Sequence, residues 1–168
     1  MRLALERANQ AVYCYGWEHP DCRGMGTTLV AALILEETAY VLNVGDSRAY
    51  SIREQGIRQI TRDHSLVEEL VEFGAITKEQ AKSHPQRNVI TRALGSEAKV
   101  ESDYFEFTLQ SGDILLLCSD GLSNIVTDLE MLDYANEYQD PELLCRALMS
   151  KALNRGARDN VTVLAVMN

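Results

Sequence analysis

The chain has 168 residues, a formal net charge of −9, 46% hydrophobic residues and 24% charged ones. At roughly 150 residues per domain, this length predicts one domain that can bury a core without staples, and the composition excludes a disordered tail, a collagen-like fibre and a long coiled coil. An acidic chain without a basic stripe is not built for nucleic acid or an anionic membrane face, and no apolar run approaches the roughly 20 residues of a membrane span.

The first residues, Met1-Arg2-Leu3-Ala4-Leu5-Glu6-Arg7, include an acid and no apolar h-region, so they are not read as a signal peptide. The four cysteines, Cys14, Cys22, Cys118 and Cys145, form no C-x-x-C pair. Their spacing suits neither a zinc site nor a disulfide framework. Free thiols and a cytoplasmic location are expected.

In chain order, residues 2–14 place Leu3, Leu5, Ala8, Ala11 and Val12 among charges, which predicts an amphipathic helix. It begins without a cap, like a helix already under way. Trp17 to Arg23 reads as a loop. Thr27 to Leu35 and Ala39 to Val44 read as strands joined by a turn at Glu36-Glu37-Thr38. Arg48 to Arg53 and Gly56 to Ile60 read as a second hairpin. Ser65-x-x-Glu68 opens a helix that stops at Gly74, and Thr77-x-x-Gln80 opens a short one before Pro85. Residues 104–109 alternate partly, as a strand with one wet face does. Ser111-Gly112-Asp113 turns into the continuous apolar strand 114–118, which makes Cys118 a small buried hydrophobe. Thr127-x-x-Glu130 caps a further helix, and Asp140-Pro141 starts another over about 141–153. Val161 to Val166 is a last strand. Hairpin-like strand pairs with helices grouped between them predict an α+β fold with mostly antiparallel sheet.

Three aspartates stand at the ends of apolar strands. Asp46 follows Tyr40–Val44 through Gly45, Asp120 follows 114–118 through Ser119, and Asp159 precedes the last strand beside Asn160. If those strands lie side by side, the carboxylates converge. They then need a cation, and hard oxygen ligands select Mg²⁺, Mn²⁺ or Ca²⁺. Carboxylates bridging such metals lower the pKa of water and clamp a phosphoryl group. The alternative is plain turn chemistry, in which an aspartate bonds a nearby backbone amide. Asp113 precedes its strand and is assigned to turn chemistry. His19, His64 and His84 have no neighbouring nucleophile, and G-x-S-x-G is absent. Gly24-Met25-Gly26-Thr27-Thr28 precedes a strand and lacks the G-K-[ST] of a P-loop, so its glycines are read as permitting close backbone packing. Arg23, Arg48, Arg87 and Arg92 are candidate phosphate partners, the alternative for each being a solvated or ion-paired surface arginine.

Taken together, six motifs resemble the bacterial metal-dependent Ser/Thr protein phosphatases of type 2C. They are Gly24-Met25-Gly26-Thr27-Thr28, Asn43-Val44-Gly45-Asp46-Ser47-Arg48-Ala49-Tyr50, Thr61-Arg62-Asp63-His64-Ser65, His84 through Gly95, Gly112 through Leu122, and Arg158-Asp159-Asn160-Val161-Thr162. They follow the family's order and span nearly the whole chain. The resemblance implies an antiparallel β-sandwich flanked by helices, with metals in a cleft at one end. It implies that Asp120 and Asp159 are core metal ligands and that Asp46, with Asp120, holds a third, weaker metal. It implies Mn²⁺ or Mg²⁺ as cofactor, with two core sites. The reaction implied is attack of metal-bound hydroxide on phosphoserine or phosphothreonine in proteins, with no phospho-enzyme. The partners implied are phosphorylated proteins, a bacterial Ser/Thr kinase and its substrates among them. Residues about 76–88 resemble the mobile flap of the family.

Two family motifs do not occur in the sequence. One is an Arg closely followed by Asn-Gln-Asp, since Asn9-Gln10 is followed by Ala11 and lies in the predicted helix. The other is Asp-Gly-x-Gly-Gly, which supplies the carboxylate bridging the two core metals. The expectation is therefore a single, partial phosphatase domain over 1–168, corresponding to about the C-terminal two-thirds of the family's domain. Such a chain is expected to have exposed sheet edges open to association, weak core-metal binding and little activity. A non-catalytic phosphoprotein-binding module is the alternative reading.

Overall fold

The structure is a computed structural model that describes residues 1–168. In chain order the elements are α1 (Arg2–Glu18), β1 (Leu29–Leu35), β2 (Thr38–Val44), β3 (Arg48–Arg53), β4 (Gly56–Gln59), α2 (Leu66–Glu72), α3 (Lys78–Lys82), β5 (Asp103–Thr108), β6 (Ile114–Cys118), α4 (Asp120–Ser123), α5 (Asp128–Glu137), α6 (Pro141–Asn154) and β7 (Val163–Met167). The strands form a three-stranded sheet, β1-β2-β5, and a four-stranded sheet, β4-β3-β6-β7. The chain separates into two compact units, one of Met1–Leu29, Leu42–Asp46 and Arg62–Asp103, the other of Val30–Val41, Ser47–Thr61 and Tyr104–Asn168.

The second unit carries the sandwich. Its four-stranded sheet is antiparallel throughout, with Tyr50 opposite Leu116 and Leu116 opposite Ala165. All five residues of β6 are buried because both faces of this strand are covered. Ile114, Leu116 and Cys118 join Tyr50 and Ile52 against Leu122, Met131, Leu144 and Leu148 of the helices. Leu115 and Leu117 join Ala49 against Ala39 and Val41 of the other sheet, with Val30, Phe105 and Phe107 beside them. A continuous apolar run is what a strand covered on both faces requires. The β5 strand alternates half-buried and exposed residues, so one face is wet as its sequence predicts. Asp113 is turn chemistry with an added ion pair. Its Oδ2 accepts the Gln110 N–H at 2.8 Å and lies 3.0 Å from Arg53 Nη2.

The first unit has a smaller apolar centre of Leu5, Leu42, Val44 and Leu94, with Leu29 and Val100 beside it. Buried Asn9 ties α1 to residues 95–98. Its Nδ2 donates to the carbonyls of Glu97 (3.0 Å) and Ala98 (3.2 Å), and its Oδ1 accepts the Gly95 N–H at 2.8 Å. The expected close packing of the Gly24–Thr28 glycines is present at Gly26, where a Cβ would lie 3.1 Å from the Leu94 carbonyl.

Several boundaries differ from expectation for local reasons. Helix α1 runs four residues further than predicted, and Pro20 then ends it by forcing His19 into extended backbone. Strand β1 starts at Leu29 because Thr27 is used in an isolated bridge to Leu94. Strand β7 starts at Val163 because the residues before it are tied to Ser119. Residues 120–123, to which the sequence pattern assigns no element, form a helical turn. Complete capping boxes form at Thr77 and Thr127, and the Asp140 side chain caps α6 through the Leu143 N–H.

Candidate functional site

Asp120 and Asp159 both belong to the second unit, and the loops that carry them lie against each other. The loops continue directly from the β6–β7 ladder, whose last pair is Cys118 and Val163. Beyond it, the Ser119 N–H donates to the Thr162 carbonyl at 3.1 Å. The Ser119 hydroxyl donates to the Asn160 carbonyl at 3.1 Å and accepts the Thr162 N–H at 3.0 Å. Gly121 completes the fit, since a Cβ there would lie 2.3 Å from the Asn160 carbonyl oxygen. No larger residue allows that approach without moving a backbone.

Each carboxylate has a local partner. Asp120 is the first residue of α4, where negative charge suits the helix dipole, and its Oδ2 accepts from Asn124 Nδ2 at 3.2 Å. Asp159 is exposed, and its Oδ1 accepts the adjacent Asn160 N–H at 2.7 Å. That bond is the turn chemistry weighed as the alternative, and it leaves the other Asp159 oxygen for other partners.

Asp46 belongs to the first unit and is half-buried in the turn after β2. Gly45 makes this turn possible. Its φ is +104°, and a Cβ would lie 2.3 Å from Thr28 Cγ2. Its N–H donates to His64 Nδ1 at 3.1 Å, and its carbonyl accepts the His64 N–H at 2.9 Å. Asn43, fully buried, donates from Nδ2 to the same carbonyl at 3.2 Å and to the Arg62 carbonyl at 3.0 Å. The motif around His64 is visible in the sequence, but its grip on Gly45 is not, because the two are 19 residues apart. Burial pushes the His64 imidazole below its ordinary pKa, against a hydrogen bond to Asp103 that raises it.

The four arginines separate by environment. Arg23 lies over the Trp17 ring, 5.1 Å from its centroid. Arg48 Nη1 donates to the Tyr50 hydroxyl at 3.1 Å. Arg92 Nη1 donates to Asp103 Oδ1 at 3.2 Å. Arg87 is exposed.

The donor atoms at Asp46, Asp120 and Asp159 are hard oxygens, which fit Mg²⁺ or Mn²⁺ in kind. The chain gathers no group of three or more His, Cys, Asp or Glu side chains in an arrangement that could hold a metal ion. A pair of carboxylates with water and substrate oxygens is still an ordinary Mg²⁺ environment. No helix is long and apolar enough to cross a membrane, and all four cysteines are free.

The sequence profile of protein phosphatase 2C matches residues 5–161. The chain is 43% identical over 166 residues to the serine/threonine phosphatase stp of Listeria welshimeri, covering 99% of this chain and 66% of that protein. It superposes on the crystal structure of the serine/threonine phosphatase Stp1 from Staphylococcus aureus with a TM-score of 0.93 and 43% identity, over 98% of this chain and 65% of that one. It also superposes on the catalytic domain of the serine/threonine protein phosphatase PstP in complex with two manganese ions, with a TM-score of 0.84 and 37% identity, over 94% of this chain and 65% of that one. The chain thus spans about two-thirds of the length of these relatives, 66% of the first. On the profile match and on these identities, the chain belongs to the protein phosphatase 2C family.

Proposed function

We propose that the chain serves metal-dependent hydrolysis of phosphoserine and phosphothreonine in proteins. The observation that carries this reading is the pair of interlocked loops that continue the β6–β7 ladder and bear Asp120 and Asp159. Asp120 and Asp159 are the core ligands in this proposal, and Asp46 serves a third, weaker site. Bound Mn²⁺ or Mg²⁺ would offset the charge of the phosphoryl oxygens and lower the pKa of water, so that its deprotonated, nucleophilic form is available near neutral pH. The chain's own residues supply the charge and position of the ligands. Ser119 locks the two loops together, and Gly121 lets them touch. Residues 76–88, which contain the short exposed helix α3, are proposed as a mobile flap that meets the protein substrate. The substrates are phosphorylated proteins of the cytoplasm, a Ser/Thr kinase among them.

A second reading is a phosphoprotein-binding module without turnover. It is favoured by the lack of any group of three or more His, Cys, Asp or Glu side chains arranged to hold a metal ion. The two readings part in one experiment on the 168-residue chain. Its hydrolysis of p-nitrophenyl phosphate and of a phosphothreonine peptide is followed with added Mn²⁺, beside Asp120→Ala. Slow turnover that needs Mn²⁺ and disappears in Asp120→Ala supports the enzyme. Turnover that survives EDTA or Asp120→Ala overturns the ligand assignment. A folded chain that binds the peptide without cleaving it establishes the module instead. Calorimetry should find weak Mn²⁺ binding, and two tight sites would contradict the ligand set proposed.

A further inference from the structure

We infer that His64 is a positioning residue that clasps Gly45 from both sides and thereby aims the Asp46 carboxylate. The inference rests on the proposed role of Asp46 as a metal ligand. The geometry itself does not depend on that role.

Gly45 is held through both of its backbone polar groups by one residue. Its N–H points at His64 Nδ1 at 3.1 Å, and its carbonyl receives the His64 N–H at 2.9 Å. A ring nitrogen that accepts a backbone N–H carries no proton of its own. The imidazole is therefore neutral and its hydrogen sits on Nε2. That hydrogen faces Asp103 Oδ2 at 3.4 Å, while the other Asp103 oxygen takes Arg92 Nη1 at 3.2 Å. Arg92 Nη1 also approaches Nε2 at 3.3 Å, but Nε2 spends its capacity as a donor, so the arginine's partner there is Asp103. The tautomer is thus set by a donor on one side and a carboxylate on the other, the usual device for orienting a histidine.

The clasp is itself anchored. The His64 carbonyl accepts the Thr91 N–H at 2.8 Å, and Ser65 forms a bridge with Ile90. His64 is 5% exposed, so water does not compete for either ring nitrogen. Asn43 Nδ2 adds a second donor to the Gly45 carbonyl, leaving its buried Oδ1 without a partner. A buried acceptor left unpaired is costly. Here it accompanies a side chain whose Nδ2 ties the turn, at the Gly45 carbonyl, to the Arg62 carbonyl two residues before His64. The next residue after this doubly held glycine is Asp46, so rotation of the 45–46 peptide is what the clasp suppresses. Groups that orient a metal ligand typically change metal affinity by about 10- to 100-fold when removed. The lower end of that range is expected here, because His64 acts through backbone.

The test uses the ¹⁵N-labelled 168-residue chain with MnCl₂ as the probe. Long-range ¹H–¹⁵N correlation should find the His64 ring protonated at Nε2 and bare at Nδ1, and the Gly45 amide should exchange slowly with solvent. Asn places an oxygen near Nδ1 and Gln does not. His64→Asn should therefore keep the slow Gly45 exchange and the Mn²⁺-induced broadening of the Asp46 amide. His64→Gln should lose the protection and need about tenfold more Mn²⁺ for the same broadening. A wild-type ring protonated at Nδ1 overturns the inference without any variant having to fold. So does Mn²⁺ broadening at Asp46 that is equal in wild type and a folded His64→Gln. If Mn²⁺ leaves the wild-type Asp46 amide untouched while the tautomer and Gly45 protection are as described, the ligand reading of Asp46 fails and with it the aiming role, and the clasp alone remains.

Discussion

The two compact units solve the same problem, holding a carboxylate at the end of a strand, by different means. In the unit that contains Asp120 and Asp159, the approach is apolar and periodic. A strand buried on both faces delivers Asp120, and the ladder to β7 delivers the loop of Asp159. In the unit that contains Asp46, the apolar cluster is small, and individual polar side chains take its place: Asn43 and His64 hold the turn, and Asn9 ties α1 to residues 95–98. Ladders spread tolerance over many equivalent bonds, whereas single polar pins concentrate it. The first unit should therefore be sensitive to loss of particular hydrogen bonds and the second to loss of packed volume.

The largest effect expected from this contrast is at Leu116, the middle of β6, which is fully buried. Leu116→Ala removes side-chain volume and leaves a cavity, with a cost of about 2–5 kcal/mol. Urea unfolding should register it as a fall in midpoint with little change in slope, and a cost under about 1 kcal/mol would mean that the sheet is not the packed element described. Next is Asn9→Ala. It strands the Gly95 N–H and two carbonyls inside the unit, and a buried group left unpaired costs about 1–3 kcal/mol. The same titration should put this loss close to that of Leu116→Ala, although far less apolar surface changes. A near-neutral Asn9→Ala would erase the distinction between the two units.

The smallest effect sharpens the contrast from the sandwich side. Glu130 accepts from Arg155 and from the Thr127 N–H, and these bonds, the Arg155 one foremost, lower its pKa from 4.5 to about 2. A depressed folded-state pKa adds stability above the unfolded value and loses it as pH falls toward the folded value. The Tm advantage of wild type over Glu130→Gln should therefore be constant above about pH 4.5 and close between there and about pH 2. Glu130 sits near the surface, so the advantage is small at any pH. An advantage that persists at pH 2 would mean that the pair is not what couples α5 to the end of α6.

Much of this construction was legible in the residue order. The run Ile114–Cys118 announces a strand covered on both faces, and Thr77, Thr127 and Asp140-Pro141 announce helix starts through a chemistry confined to four adjacent residues. The positions of Asp46, Asp120 and Asp159 at strand ends were legible for the same reason. What was not legible depends on distant partners. Asn9 reads as one more polar residue in an amphipathic helix until Gly95 and Glu97 are brought beside it, 86 and 88 residues away. His64 reads as a histidine without a nucleophile until Gly45 and Asp103 close on its two nitrogens. The helical turn at 120–123 escaped because its four residues are too few to show periodicity.

The double burial of β6 has a consequence for the chain before it folds. Ile-Leu-Leu-Leu-Cys is a short, uncharged, proline-free window of the kind that seeds intermolecular β-structure when exposed. The charges that bracket it are Asp113 on one side and Asp120 on the other. Both stand at the flanking positions where a charge can guard such a window. Asp120→Ala therefore removes a proposed metal ligand and an aggregation guard in one step, and its yield of soluble protein should be compared with that of Asp120→Asn and Asp120→Lys, the second of which restores a charge without restoring the ligand.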